Sequence, residues 1–270
     1  MKKVILFSLS LLLSSSLLAQ RQVSKAINER KNRVKPQSVA ALALATARHP
    51  LDNTFTTINT AVQFTSNVGV LNQMEREQLP FLEFILPISA DSTMVLELIP
   101  NAIFGDKHQV LNAQNEVVNV HKGVFYKGII KGDDNSVVSL ALSNGELSGV
   151  VSNSKGNYVL GKIKHSSNYI FYNDHELLEK STFKCAVADA VAHTVADVRL
   201  TPSTESVGCR PVDIYFEADN ALYAAQGGSL TNTTAFVNAL FGQVAVLYSN
   251  EGIVIQMAQL KIWKIGRAHV

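Results

Sequence analysis

The side chains able to do chemistry in this chain are few: two cysteines, seven histidines and scattered carboxylates. Among the histidines only His175 opens a metal-like pattern. H-E-L-L-E over residues 175–179 begins as a zinc-binding helix does, but Glu179 stands where a second histidine one turn on must reach the same ion. It reads as an ordinary charged turn. His49, His108, His121, His165, His193 and His269 show no ligand spacing and have no cysteine close in sequence. Cys185 and Cys209 can pair with each other or with a cysteine elsewhere. Their mutual disulfide would close a loop of about two dozen residues and contribute roughly 3 kcal/mol on the chain-entropy account.

The amino terminus sets the compartment in which those thiols act. Lys2 and Lys3 precede an apolar run broken only by serines, and Ala19-Gln20 follows, the layout of a secretory signal peptide cleaved after Ala19. The run is too short and too serine-rich for a membrane span. The mature chain is therefore expected to be exported, without a membrane span, into an oxidising compartment. Its composition, 47% hydrophobic and 17% charged, suits a globular protein with a core; a net charge of +2 argues neither for nucleic acid nor for a membrane surface, and no nucleic-acid partner is expected. Arg21, Lys25, Arg30, Lys31, Arg33 and Lys35 against Glu29 make the segment after the leader basic, read as solvated, helical or loose.

The elements that would position a site are clearest over residues 212–263. V-D-I-Y-F-E-A is a β-branched and aromatic run with strand character. After Gly227-Gly228, Asn232 or Thr233 can cap a helix whose Phe236, Val237, Leu240, Phe241, Val244, Leu247 and Tyr248 share one face. Gly252 ends it, and a second strand runs to Trp263. Strand, long helix, strand is a βαβ unit, which favours a parallel pair.

Upstream, residues 81–86 and 93–99 form a hairpin pattern. Residues 121–172 alternate short strands with the turn sequences G-D-D-N, S-N-G-E and S-K-G-N, so an antiparallel meander is expected. Scattered short strands are expected between residues 52 and 70. The fold class read from these patterns is α+β, with an antiparallel β-rich part followed by the start of an α/β part.

Two stretches resemble the adamalysin (reprolysin) family of metzincin zinc endopeptidases. E-A-D-N-A-L-Y, V-N-A-L-F-G-Q-V-A-V-L-Y and L-K-I-W are similar to the opening of its catalytic domain. F-Y-K-G-I-I-K-G, N-S-V-V-S-L and G-E-L-S-G-V-V are similar to segments of its propeptide, in the same order. The resemblance implies a zymogen that cleaves protein or peptide substrates with a metal-activated water, its propeptide contacting the catalytic domain in cis. The motif H-E-x-x-H-x-x-G-x-x-H, which supplies zinc ligands and general base in that family, is absent from these 270 residues, so no catalytic residue is assigned and this stretch is expected to bind no catalytic zinc and to be inactive. The resemblance adds a third option for Cys185: K-C-A-V is similar to the family's K-x-C-G-V, whose thiolate blocks the zinc, although Ala186 replaces the glycine. It also makes Asp213, six positions before Asp219, a structural calcium ligand in some relatives.

The implied organisation is a signal peptide over 1–19, a pro-domain over 20–185, a linker over 186–208 with Arg199 as an exposed maturation site, and the start of a catalytic domain over 209–264. Residues 265–270, I-G-R-A-H-V, fit no preceding pattern and match a translated sequencing adapter, so they are expected to be an artefact without function. The competing reading is a non-enzymatic exported β-rich surface or binding module. An all-antiparallel sheet around residues 212–263 would favour it.

Overall fold

The computed structural model describes residues 21–45, 58–164, 166–178 and 210–264. The protein is an α+β structure dominated by a ten-stranded mixed sheet, with a second sheet of three strands. Ala19, Cys185, Arg199 and Cys209 lie outside the described residues, as do residues 265–270.

The basic segment after the leader is ordered. Helix α1 (Gln22–Lys31) buries Val23, Ser24 and Ile27, and strands β1 (Gln37–Val39) and β2 (Leu42–Leu44) follow it. Its basic side chains are solvent-exposed, Arg30 only partly, but the segment is a docked helix and not loose, because Val23 and Ile27, one turn apart, give it an apolar edge between them. Strand β3 (Val62–Ser66) precedes α2 (Val68–Glu77), whose Asn67 side chain caps it by accepting from Val70 N–H at 3.2 Å. The expected hairpin is β4 (Leu82–Ser89) with β5 (Ser92–Pro100), paired antiparallel. After β6 (Phe104–Leu111) comes the meander of β7 (Val124–Ile130), β8 (Asp133–Ser143), β9 (Glu146–Asn153), β10 (Gly156–Lys162) and β11 (Asn168–Asn173), each antiparallel to the next. The S-N-G-E turn behaves as its sequence requires: Asn144 and Gly145 both hold positive φ, 54° and 71°, the conformation of a two-residue turn matched to strand twist. His175 and Glu176 sit in a single 3-10 turn, Asp174–Glu176.

The large sheet runs β1-β4-β5-β7-β8-β9-β10-β11-β3-β2 and curls so that one face encloses the main core. Period-two alternation sorts its side chains. Leu96, Leu98, Tyr126, Val138, Leu140 and Leu142 point into that core. Their neighbours Glu97, Ile99, Phe125, Ile129, Val137 and Ala141 point outward and are buried too. A sheet covered on both faces reads as a nearly continuous apolar run, as over the middle of β8.

The outer cover comes from α1 and from the C-terminal part. Strand β12 (Val212–Ala218), helix α3 (Asn220–Ala225), helix α4 (Leu230–Asn250) and strand β13 (Ile255–Ile262) form the expected βαβ unit with one extra short helix. Ser229, rather than Asn232 or Thr233, caps α4, its Oγ accepting from Asn232 N–H at 3.2 Å. The two glycines before it, both at positive φ, allow the tight exit from α3 that sets the cap of α4 three residues before the earlier expected one. Helix α4 lies between the outer face of the large sheet and the small sheet. By length and composition it could cross a bilayer, but here it packs across two sheets.

Candidate functional site

The region that the sequence marks for function is built on β12, α4 and β13. Val212 to Ala218 pair in parallel with Ile255 to Ile262, with a bulge between Ile214 and Tyr215 that leaves Ala258 unmatched. The bulge shifts the alternation. Ile255 and Met257 point inward before it, and Leu260 and Ile262 after it. The inward set meets Ala218, Val237, Phe241 and Ala245, and the Phe216 and Phe241 rings cross edge-on at 5.3 Å.

Helix α4 leaves most of its apolar side chains uncovered. Val237 and Phe241 are buried as expected, but Phe236, Leu240, Val244, Leu247 and Tyr248 are exposed, Leu247 by 57%. The buried face instead holds Thr233, Thr234, Asn238, Gly242, Ala245 and Val246. Small residues win there because the large sheet comes close: a β-carbon on Gly242 would lie 3.0 Å from Phe125 Cδ1. Asn238 uses its amide to donate to Lys122 O at 3.2 Å. An uncovered apolar stripe therefore runs along the solvent side of the helix.

Strand β6 was not foreseen as part of this unit. It adds to the far edge of β13 in parallel, with Met257 opposite Phe104, Gln259 opposite Gln109 and Lys261 opposite Leu111. Met257 N–H donates to Ile103 O at 2.8 Å. The small sheet is thus β12-β13-β6, and its core mixes Ile103, Val110, Phe125 and Ala141 with the residues of the C-terminal part. Only the inward His108 and Val110 mark this strand, a two-residue alternation in an otherwise polar F-G-D-K-H-Q-V-L.

His108 sits within that seam, 8% exposed. Its Nδ1 lies 3.1 Å from Met257 O, its ring lies tilted at 35° against Phe104 with centroids 4.4 Å apart, and its Nε2 is buried without a hydrogen-bond partner. The Met257 carbonyl can only accept, so Nδ1 carries the proton and neutral Nε2 is the bare nitrogen. Burial, and secondarily the Lys122 ammonium, push the imidazole below its ordinary value of 6.5.

Asp213 is the one sequence-assigned metal ligand within the described residues. It lies on the outer face of β12, where its Oδ1 and Gln256 Oε1 flank Gly105 of β6. Asp219, at the other end of the strand, is occupied as the cap of α3, accepting from Leu222 N–H at 2.8 Å. Among the described residues no three His, Cys, Asp or Glu side chains gather to hold a metal ion. His121 reaches Glu75 Oε1 at 2.5 Å, and that carboxylate also accepts from Asn144 and Gly145 N–H at 2.9 Å, which fixes the β8–β9 turn. An open groove of about 1070 Å³ runs between the meander and the start of α4, lined by Phe125, Glu146, Lys162, Asn232 and Phe236 among others. Within it Lys162 pairs with Glu146. No family model matches the chain, and neither does any curated protein.

Proposed function

We propose that residues 20–264 are the propeptide and the opening of the catalytic domain of an exported zinc metalloendopeptidase of the adamalysin type. The observation that carries the reading is the parallel pairing of β12 with β13 through α4, on the same residues whose sequence resembles that family. Parallel pairing across a helical crossover is what the start of an α/β catalytic domain requires. It weighs against the non-enzymatic β module, which an antiparallel arrangement here would have favoured. The exposed stripe on α4 fits a helix packed against further elements of such a domain.

On this reading the C-terminal part supplies scaffold and not chemistry. The zinc ligands and general base of the family have no counterpart in the sequence, and the described residues do not fit the metal. In a full peptidase the zinc would lower the pKa of a bound water and make it a nucleophile toward the peptide bond. Cys185 as the blocking thiolate, Asp213 as a calcium ligand and Arg199 as the maturation site belong to the same proposal. The test is the source gene beyond the codon for Lys264. The expected frame continues into H-E-x-x-H-x-x-G-x-x-H, and a frame that ends after Val270 removes the peptidase reading.

A further inference from the structure

We infer that the seam between β6 and β13 is an acid-sensitive latch that joins the N-terminal part of the protein to the βαβ unit, with neutral His108 as its sensor. The seam is the only place among the described residues where a strand of the first part pairs with a strand of the second. His108 occupies its middle and ties the two strands through Met257 O. This inference does not depend on the peptidase reading.

The geometry makes the neutral ring the only comfortable state. Protonation would place an N–H on Nε2, a buried atom with no acceptor, and a buried unpaired cation is disfavoured by loss of hydration. Among the described residues no acid compensates it. The neighbouring β6 residues Asp106 and Lys107 are exposed, and β13 carries only Lys261 as a charged group, its ammonium over the Trp263 ring. Helix α4 has no Asp, Glu, Lys, Arg or His. Of β12's acids, Asp213 lies beside Gly105 and Glu217 is held by Tyr215 and Trp263. The segment before β7 brings Lys122, whose positive charge acts on the ring and opposes a second one. On β7, Lys127 is engaged with Ser249 at 2.8 Å.

The sign follows from linkage. The folded-state pKa of His108 is lowered below the unfolded 6.5, so the opened state binds more protons between those two values. The seam is fully held above 6.5 and loosens as pH falls from there toward the folded pKa. In that window the opening equilibrium rises by up to roughly tenfold per pH unit.

The experiment is hydrogen exchange on the full chain between pH 7.5 and 5, corrected for intrinsic rates. It is read at Met257 N–H in the seam and at β4, β5 and β8 amides in the main core. The expected result is an opening constant for Met257 that climbs as pH drops below 6.5 while the core amides hold. His108→Phe, which keeps a ring on Phe104 and removes the titrating nitrogen, should flatten that climb. A Met257 opening constant independent of pH in the native chain overturns the latch, as does an equal climb in His108→Phe or at the core amides. Should the variant fail to fold, the imidazole titration of native His108 by NMR decides: a pKa at or above 6.5 overturns the proposal, and one below it supports it.

Discussion

Gly242 of α4 faces the Phe125 ring of β7 so closely that a β-carbon there would lie 3.0 Å from Cδ1. This contact sets how near the βαβ unit approaches the large sheet, because Phe125 also meets Phe104 edge-on at 5.7 Å and so touches β6. A branched side chain at position 242 must push the helix outward or the ring off its rotamer. Gly242→Val is expected to lower stability by about 1–3 kcal/mol in a urea melt. Adding Phe125→Leu should recover part of the loss, since the two residues share one space. Additive losses in the double variant would show that the contact does not limit the packing.

Lys31, at the last turn of α1, places its ammonium 2.6 Å from Glu97 Oε2. Glu97 is 2% exposed on the outer face of β5, whereas the lysine side chain remains 37% exposed. Removing one partner of a fully buried pair costs roughly 3–5 kcal/mol because a bare charge is left inside. Water can still reach this site from the lysine side, so Lys31→Ala is expected to cost about 2 kcal/mol. Glu97→Gln in the Lys31→Ala background should restore much of that, as the bare charge is gone. Chemical denaturation of the two variants checks both values.

The sequence exposed the meander, the β4–β5 hairpin and the βαβ unit because each rests on local signals: turn pairs such as Asn144-Gly145, alternation, and a long apolar helix. It concealed the contacts between distant segments. Nothing in F-G-D-K-H-Q-V-L announces that β6 adds to β13, since only His108 and Val110 face inward. The apolar spacing on α4 located its large side chains and not the side that packs on the sheet. Periodicity records where large side chains recur, whereas burial beside Phe125 selected Thr234, Asn238 and Gly242 for their small size or hydrogen bonding. The docking of helix α1 likewise rests on distant partners: Ser24 Oγ donates to Asp134 at 2.6 Å and Lys31 pairs with Glu97. Asp213 could be named from a resemblance, but a ligand set needs several residues brought together, and the sequence gives no register for that.

The two faces of α4 should respond oppositely to substitution. Leu240 and Leu247 are more than half exposed, so Leu240→Glu with Leu247→Lys should change stability by no more than about 0.5 kcal/mol each while raising solubility. Phe241 is 2% exposed in the shared core, and Phe241→Ala should cost about 3–5 kcal/mol. Urea melts and the solubility limit of each variant are the readouts. A large loss for the leucine pair would mean that the stripe is covered in solution.

Trp263 reports on the outer face of the small sheet, because it is the sole tryptophan of the chain. Its Nε1–H donates to Glu217 Oε2 at 3.0 Å, and Tyr215 O–H donates to Glu217 Oε1 at 2.7 Å. The Tyr215 hydrogen bond, and next that of Trp263, hold the Glu217 carboxyl below its usual 4.5. A group whose folded pKa is depressed contributes above its unfolded value and loses that contribution as pH falls through the folded one. Trp263 emission should therefore stay constant from neutral pH down to about 4.5 and then shift, with a midpoint below that of an ordinary glutamate. Glu217→Gln should abolish the step while far-UV circular dichroism shows both proteins still folded. At the alkaline end, desolvation and the bond to Glu217 push the Tyr215 hydroxyl up to about 12, so its tyrosinate absorbance should appear there and move lower in Glu217→Gln. Identical fluorescence titrations of the native chain and the variant would show that the carboxylate does not bridge the two rings.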